Sequence, residues 1–158
     1  MALEVILGAS KLTGERKMPK IFGTNLLGIL AATIAFYLLG WLWYGALFME
    51  RWAELTGTPT GGDMDPVVMI KGFIITLVQV LGLSYILQHA GASTLQTCVK
   101  ICAIIAVLIA LPLIAYNVVY EGRHKELFLI DASHILLGYV IVGAVISFFR
   151  GKDAIDPT

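Results

Sequence analysis

The stretch KELFLIDASHILLGYVIVGAVISFF, Lys125 to Phe149, decides the fold. A helix needs about 20 apolar residues to cross the hydrocarbon core of a bilayer. This stretch meets that length, yet Asp131 and His134 lie inside it, three residues apart on one helical face. Ionisable groups within a membrane are costly and are a default sign of function.

The rest of the chain agrees with a membrane setting. Of 158 residues, 58% are hydrophobic and 14% are charged, against roughly 25% charged in soluble domains. A soluble domain of this size could not bury that excess. Net charge is zero, which gives no basis for nucleic-acid binding. No glycine-rich phosphate loop of the P-loop or dinucleotide type is present.

Working outward from the last span, three more follow. Spans are expected over residues 25–49, 66–87, 94–120 and 127–149, within a transmembrane domain of residues 21–150. Pro66 suits the opening of the second span. Ser93 or Thr94 can cap the third. Pro112 should kink the third span and free a carbonyl about one turn earlier. The fold class is therefore all-α, a four-transmembrane-helix bundle. Residues 1–20 are expected to form an N-terminal extension or a short interfacial helix, with Met18 a candidate natural start. Residues 151–158 form a polar C-terminal tail.

Four spans put both termini on one side. That side carries Lys11, Arg16, Lys17, Lys20, Lys100, Arg150 and Lys152, seven basic residues against Arg51, Lys71, Arg123 and Lys125 on the other. The positive-inside rule then predicts cytoplasmic termini.

With that orientation, Asp131 and His134 lie roughly 6 and 10 Å along the fourth helix. Both belong to the outer half of a core whose half-thickness is about 15 Å. Lys71 and Asn117 fall at the same depth, so Lys71 can pair with Asp131, and Asn117 or a tyrosine hydroxyl can bond His134. The candidate polar cluster is Lys71, Asn117, Asp131 and His134. Three readings are compatible with it: a structural polar contact, a small-ligand or proton-handling site, and a metal or redox-cofactor site. Trp41, Trp43 and Tyr44, with Trp52, Tyr116 and Tyr120, form an interfacial aromatic belt.

His134 is the only histidine inside a span, and Cys98 and Cys102 are spaced as two small helix residues rather than as zinc ligands. No catalytic residues, metal centre or cofactor are expected. Gln79 should hydrogen-bond across helices. Gly28, Ala32, Gly138 and Gly143 are small residues suited to close helix packing, within the chain or between copies.

Two stretches resemble a known family. NLLGILAATIAFYLLGWLWYGALFMERWAELTG, Asn25 to Gly57, carries an Asn, an apolar span ending in a Trp-Tyr pair, and a following Trp and Gly: Asn25, Trp43, Tyr44, Trp52 and Gly57. NVVYEGRHKELFLIDASHILLGY, Asn117 to Tyr139, carries an Asn, a charged loop and a final span with a Gly-Tyr step. Over residues 18–149 the chain resembles bacterial proteins grouped as domain of unknown function 1761. The resemblance implies a four-span protein of the bacterial inner membrane and supplies no activity.

The expected role is a membrane protein without catalysis of its own. It would be an accessory subunit of a larger membrane complex, or a self-associating scaffold, with lipid and other membrane chains or itself as partners. The alternative is a small transporter, channel or ligand-binding protein that uses the outer polar cluster. Asp131 and His134 lining a cavity would favour the alternative.

Overall fold

A computed structural model describes residues 19–59 and 65–150. The sequence readings for residues 1–18 and for the tail 151–158 lie outside the described residues. Four helices are long and apolar enough to cross a membrane: Leu26–Leu47, Pro66–His89, Leu95–Tyr120 and Lys125–Arg150. They are called spans 1 to 4 below. Their ends fall within a few residues of the expected ones, and the protein is a multi-pass membrane protein.

The starts follow from local chemistry. The Asn25 side chain accepts from the Gly28 amide at 2.7 Å, which satisfies a free donor of the first turn of span 1. Asp65 does the same for Val67 at 2.8 Å, with Pro66 at the first helical position, where no amide is needed. Thr94 and Thr97 cap span 3 reciprocally.

Spans 1 and 3 are not uniform α-helices. Span 1 ends in a π turn, Trp43–Leu47, where the Phe48 amide reaches back to the Trp43 carbonyl at 2.9 Å. Span 3 carries a π turn over Ala106–Ala110, directly before Pro112. The expected disruption at Pro112 is thus a widened turn in the preceding residues. A short helix, Met49–Thr56, follows span 1 and closes on Gly57, whose φ of 69° is the left-handed conformation that glycine adopts without strain.

Packing is uneven along the bundle. Span 4 lies along spans 1 and 3, and span 2 lies along span 1. Spans 2 and 3 touch little, and mainly through the Leu95–Ile105 half of span 3. The buried core is Ile29, Ala32 and Phe36 from span 1, Val80, Leu83 and Leu87 from span 2, Cys98 and Cys102 from span 3, and Val142 and Ile146 from span 4. Every one of these lies in the half of its span nearer the chain termini. That half is closed.

The small residues explain how. The Phe36 ring rests on Gly138, where an added Cβ would come within 1.9 Å of it. Phe149 lies on Gly28, and the span 3 backbone at Cys98 lies against Gly143. Ala32 is fully buried. The close-packing residues read from the sequence are therefore used between helices of one chain.

The terminal end is fastened by Arg150, the last residue of span 4, which is only 4% exposed. Residues Lys20–Ile21 and Thr24–Asn25 form a two-residue hairpin. Its turn residues, Phe22 and Gly23, both have positive φ, 49° and 70°, the backbone of the mirror-image turns that suit hairpins. This brings the Phe22 carbonyl to Arg150 Nη2 at 2.7 Å. The guanidinium also donates to Thr24 Oγ1, the Ala92 carbonyl, the Ser84 carbonyl and Gln88 Oε1, at 2.9–3.1 Å. The hairpin, the end of span 2, the loop after it and the end of span 4 meet on one side chain.

Two outcomes follow for stability in detergent micelles. Arg150→Lys should lose about 2–3 kcal/mol, because an ammonium cannot reach five acceptors and leaves buried carbonyls unpaired. Gly138→Ala should cost about 1–3 kcal/mol by forcing the Phe36 ring aside. Gly82→Ala, where nothing lies within 4 Å of the added atom, is the control and should cost nothing. Thermal unfolding midpoints of the three variants decide both.

Candidate functional site

The other end of the bundle is open. The π turn at the end of span 1 shifts its register and leaves two successive aromatic residues facing span 4. Trp43 Nε1 donates to the Ile130 carbonyl at 3.0 Å, and the Tyr44 hydroxyl donates to Asp131 Oδ1 at 2.9 Å. The Tyr44 ring also meets Trp52 of the short helix edge-on, with centroids 5.6 Å apart. Arg51 of the same helix joins it to span 4 through Glu126 and also holds Glu54. Hydrogen bonds to those two glutamates raise the Arg51 pKa above its ordinary value.

His134 sits one turn deeper than Asp131, among rings. Its imidazole lies 4.9 Å from the Tyr44 ring, 5.3 Å from Phe36 and 6.4 Å from Trp43, centroid to centroid. Its Nε2 is buried and has no hydrogen-bond partner among the described residues. A Cβ at Gly40 would come within 3.3 Å of that nitrogen, so only glycine gives the ring its full space. A buried polar atom left unpaired is costly, and native structures hold few of them.

Two adjoining cavities surround these groups. The first, about 380 Å³, lies inside the bundle where spans 2 and 3 diverge; Asp131 and His134 line it, with Gln79 and Thr76 of span 2, Ile114 of span 3, and Arg123. The second, about 320 Å³, lies between spans 1 and 2, with Tyr37, Trp41 and Gly40 on one wall and Val68, Met69 and Gly72 on the other. Phe36, Tyr44, Trp52, Thr76 and His134 line both. The first is here called the chamber and the second the side pocket. The chamber is polar on its span 4 wall, and the side pocket is mainly aromatic and apolar. Together they fit a molecule of ligand size with a polar end and an apolar body.

The sequence-derived cluster is only half assembled. Asp131 and His134 line the chamber. Lys71 is exposed, lines neither cavity and forms no ion pair among the described residues. The expected Lys71–Asp131 pair is replaced by the Tyr44–Asp131 hydrogen bond, because the π turn carries Tyr44 to span 4 while Lys71 faces away from the bundle. Asn117 lines neither cavity, and its backbone carbonyl accepts from the Glu121 and Arg123 amides. It does not bond His134. Gln79 lines the chamber and makes no side-chain hydrogen bond across helices among the described residues.

The aromatic belt also divides. Tyr116 and Tyr120 stack on each other at 5.3 Å on the exposed face of span 3, as interface aromatics do. Trp41, Tyr44 and Trp52 instead line the cavities, and Trp43 ties span 1 to span 4. Sequence reasoning did not single out Arg123, Thr76 or Tyr37 as part of the site. Thr76 and Tyr37 could have been found from their spacing to Gln79 and Tyr44 on the same helical faces.

The replacement of Lys71 by Tyr44 can be measured. Tyr44→Phe should lower stability by about 1.5 kcal/mol, the worth of a hydrogen bond to a charged acceptor. Lys71→Met should leave it within about 0.5 kcal/mol. Thermal unfolding in micelles with the opposite ranking would restore the lysine pairing.

No curated protein and no solved structure matches the chain. The family described as Protein of unknown function (DUF1761) matches residues 27–147, from the first helical turn of span 1 nearly to the end of span 4. That range contains the chamber, the side pocket and the closed core, and the chain belongs to this family.

Proposed function

We propose that the chain is a small-ligand-binding membrane protein without catalysis of its own, with the chamber and its side pocket as the binding site. The observation that carries this is the buried, unpartnered His134 nitrogen beside a carboxylate, in the wall of a cavity within a membrane span. A polar contact kept only for structure would be closed on itself. This site is left open, whereas the terminal half of the same bundle is packed.

Binding fits better than conduction. Phe36 lines the chamber, and the core beyond it is close-packed. The polar side chains buried there, Thr33, Ser84, Ser147 and Arg150, are hydrogen-bonded within the bundle rather than left free to meet an ion along a path. The excess of basic residues at the terminal end supports placing that end in the cytoplasm of a bacterial cell, by the positive-inside rule. The chamber then opens toward the outer leaflet.

The self-associating scaffold drew on small residues at helix faces. Gly28, Gly138 and Gly143 are occupied by Phe149, Phe36 and span 3 of the same chain, so they no longer speak for a partner.

Native mass spectrometry from lipid nanodiscs tests the proposal. The unaltered chain should carry a bound small molecule. Thr76→Phe, which fills the space shared by both cavities, should remove it. A molecule retained by the variant, or none on either chain, overturns the reading. A stoichiometric second protein in place of a small molecule would make the chain a subunit.

A further inference from the structure

Granting a ligand in the chamber, which is the reading just proposed, its charge can be argued from the groups around it. Asp131 is the carboxylate of the chamber wall. Its described hydrogen bond comes from a neutral donor, the Tyr44 hydroxyl, at 2.9 Å. The nearest candidate cation, Arg123, also lines the chamber, but its Nε is taken by Glu121 at 2.8 Å. Arg51, at the same end, is shared by Glu54 and Glu126. Among the described residues at this end, Glu50, Glu54, Asp65, Glu121, Glu126 and Asp131 outnumber Arg51, Lys71, Arg123 and Lys125. Acidic clefts with low-dielectric walls concentrate cations.

The walls favour the same sign. The faces of aromatic rings are electron-rich and attract cations, tryptophan most strongly. Trp41, Tyr44 and Trp52 line the side pocket next to the carboxylate. The pocket is also reachable from the lipid: Trp41 and Val68, on its two walls, are 56% and 62% exposed on the membrane-facing surface. A ligand with an apolar body could enter from the side between spans 1 and 2 and bring its charge to Asp131.

We infer that the chamber binds lipophilic organic cations, with the Asp131 carboxylate as counter-ion and the rings of Trp41, Tyr44 and Trp52 as the apolar cradle. The cation supplies the charge that Lys71 does not.

Three probes of one skeleton isolate the charge: para-decylbenzyltrimethylammonium, para-decylbenzyl alcohol and para-decylbenzoate. Binding to the chain in nanodiscs is measured by calorimetry, with empty nanodiscs subtracted for partition into lipid. The ammonium should bind about tenfold or more tighter than the alcohol, and the benzoate weakest, as expected for a charge-assisted contact backed by aromatic faces. Asp131→Asn keeps an acceptor for Tyr44 and should cost the ammonium about tenfold while leaving the alcohol unchanged. Equal or tighter binding of the alcohol or benzoate, or an ammonium affinity indifferent to Asp131→Asn, overturns the cation class and leaves the binding function standing. Binding of none of the three overturns the cation class, and the bound molecule sought by mass spectrometry decides the binding function separately. Should Asp131→Asn fail to fold, the ranking of the three probes on the unaltered chain decides alone.

Discussion

A guanidinium buried without a carboxylate holds the bundle together. Arg150 carries its charge into a site where every described partner is neutral: three carbonyls, a hydroxyl and a side-chain amide. A lone charge in such a place would be expensive. Two features offset the cost. All of its partners lie at hydrogen-bonding distance. The Ser84 carbonyl and Gln88 also belong to the last turns of span 2, and Arg150 itself ends span 4, so the negative ends of two helix dipoles converge on it. The strained φ of Phe22 is part of the same arrangement, since the turn delivers a carbonyl to the guanidinium.

From that fastening follows the division of the molecule into a closed half and an open half. With their terminal ends pinned, the spans pack tightly over the next turns, through Phe36 on Gly138 and Cys98 against Gly143. Beyond that, nothing comparable draws spans 2 and 3 together. Span 1 is instead tied to span 4 by Trp43 and Tyr44, and the short helix is tied to span 4 by Arg51. Span 2 is left leaning mainly on span 1, and the chamber is the space this leaves. A carboxylate and an unpartnered imidazole nitrogen held at a cavity wall suit the proposed binding role.

Legibility differed from residue to residue for physical reasons. Asp131 and His134 could be singled out because an ionisable group in an apolar run stands out against its surroundings. Their partners could not. Lys71 was assigned to Asp131 by depth alone, and depth says nothing about which way a helix face is turned. The π turn at Trp43–Leu47 sets that rotation, and a run of apolar and aromatic residues such as WYGAL carries no mark of it. Arg150 looked like one more basic residue at a cytoplasmic boundary. Its burial depends on a hairpin folding back from a segment more than a hundred residues earlier, a contact that no local pattern encodes.

The sequence by itself determined the membrane setting, the four spans, the start signals of the second and third, the disturbance ahead of Pro112, and the presence of a polar pair in span 4. These are consequences of hydropathy, chain length and short-range hydrogen bonding, and each is written in a few neighbouring residues. Only the tertiary structure decided that the small residues pack within the chain, that Tyr44 rather than Lys71 meets Asp131, that Arg150 is the central fastening, and that one half of the bundle stays open. Those outcomes depend on the rotation and divergence of helices far apart in sequence, which packing settles for the bundle as a whole.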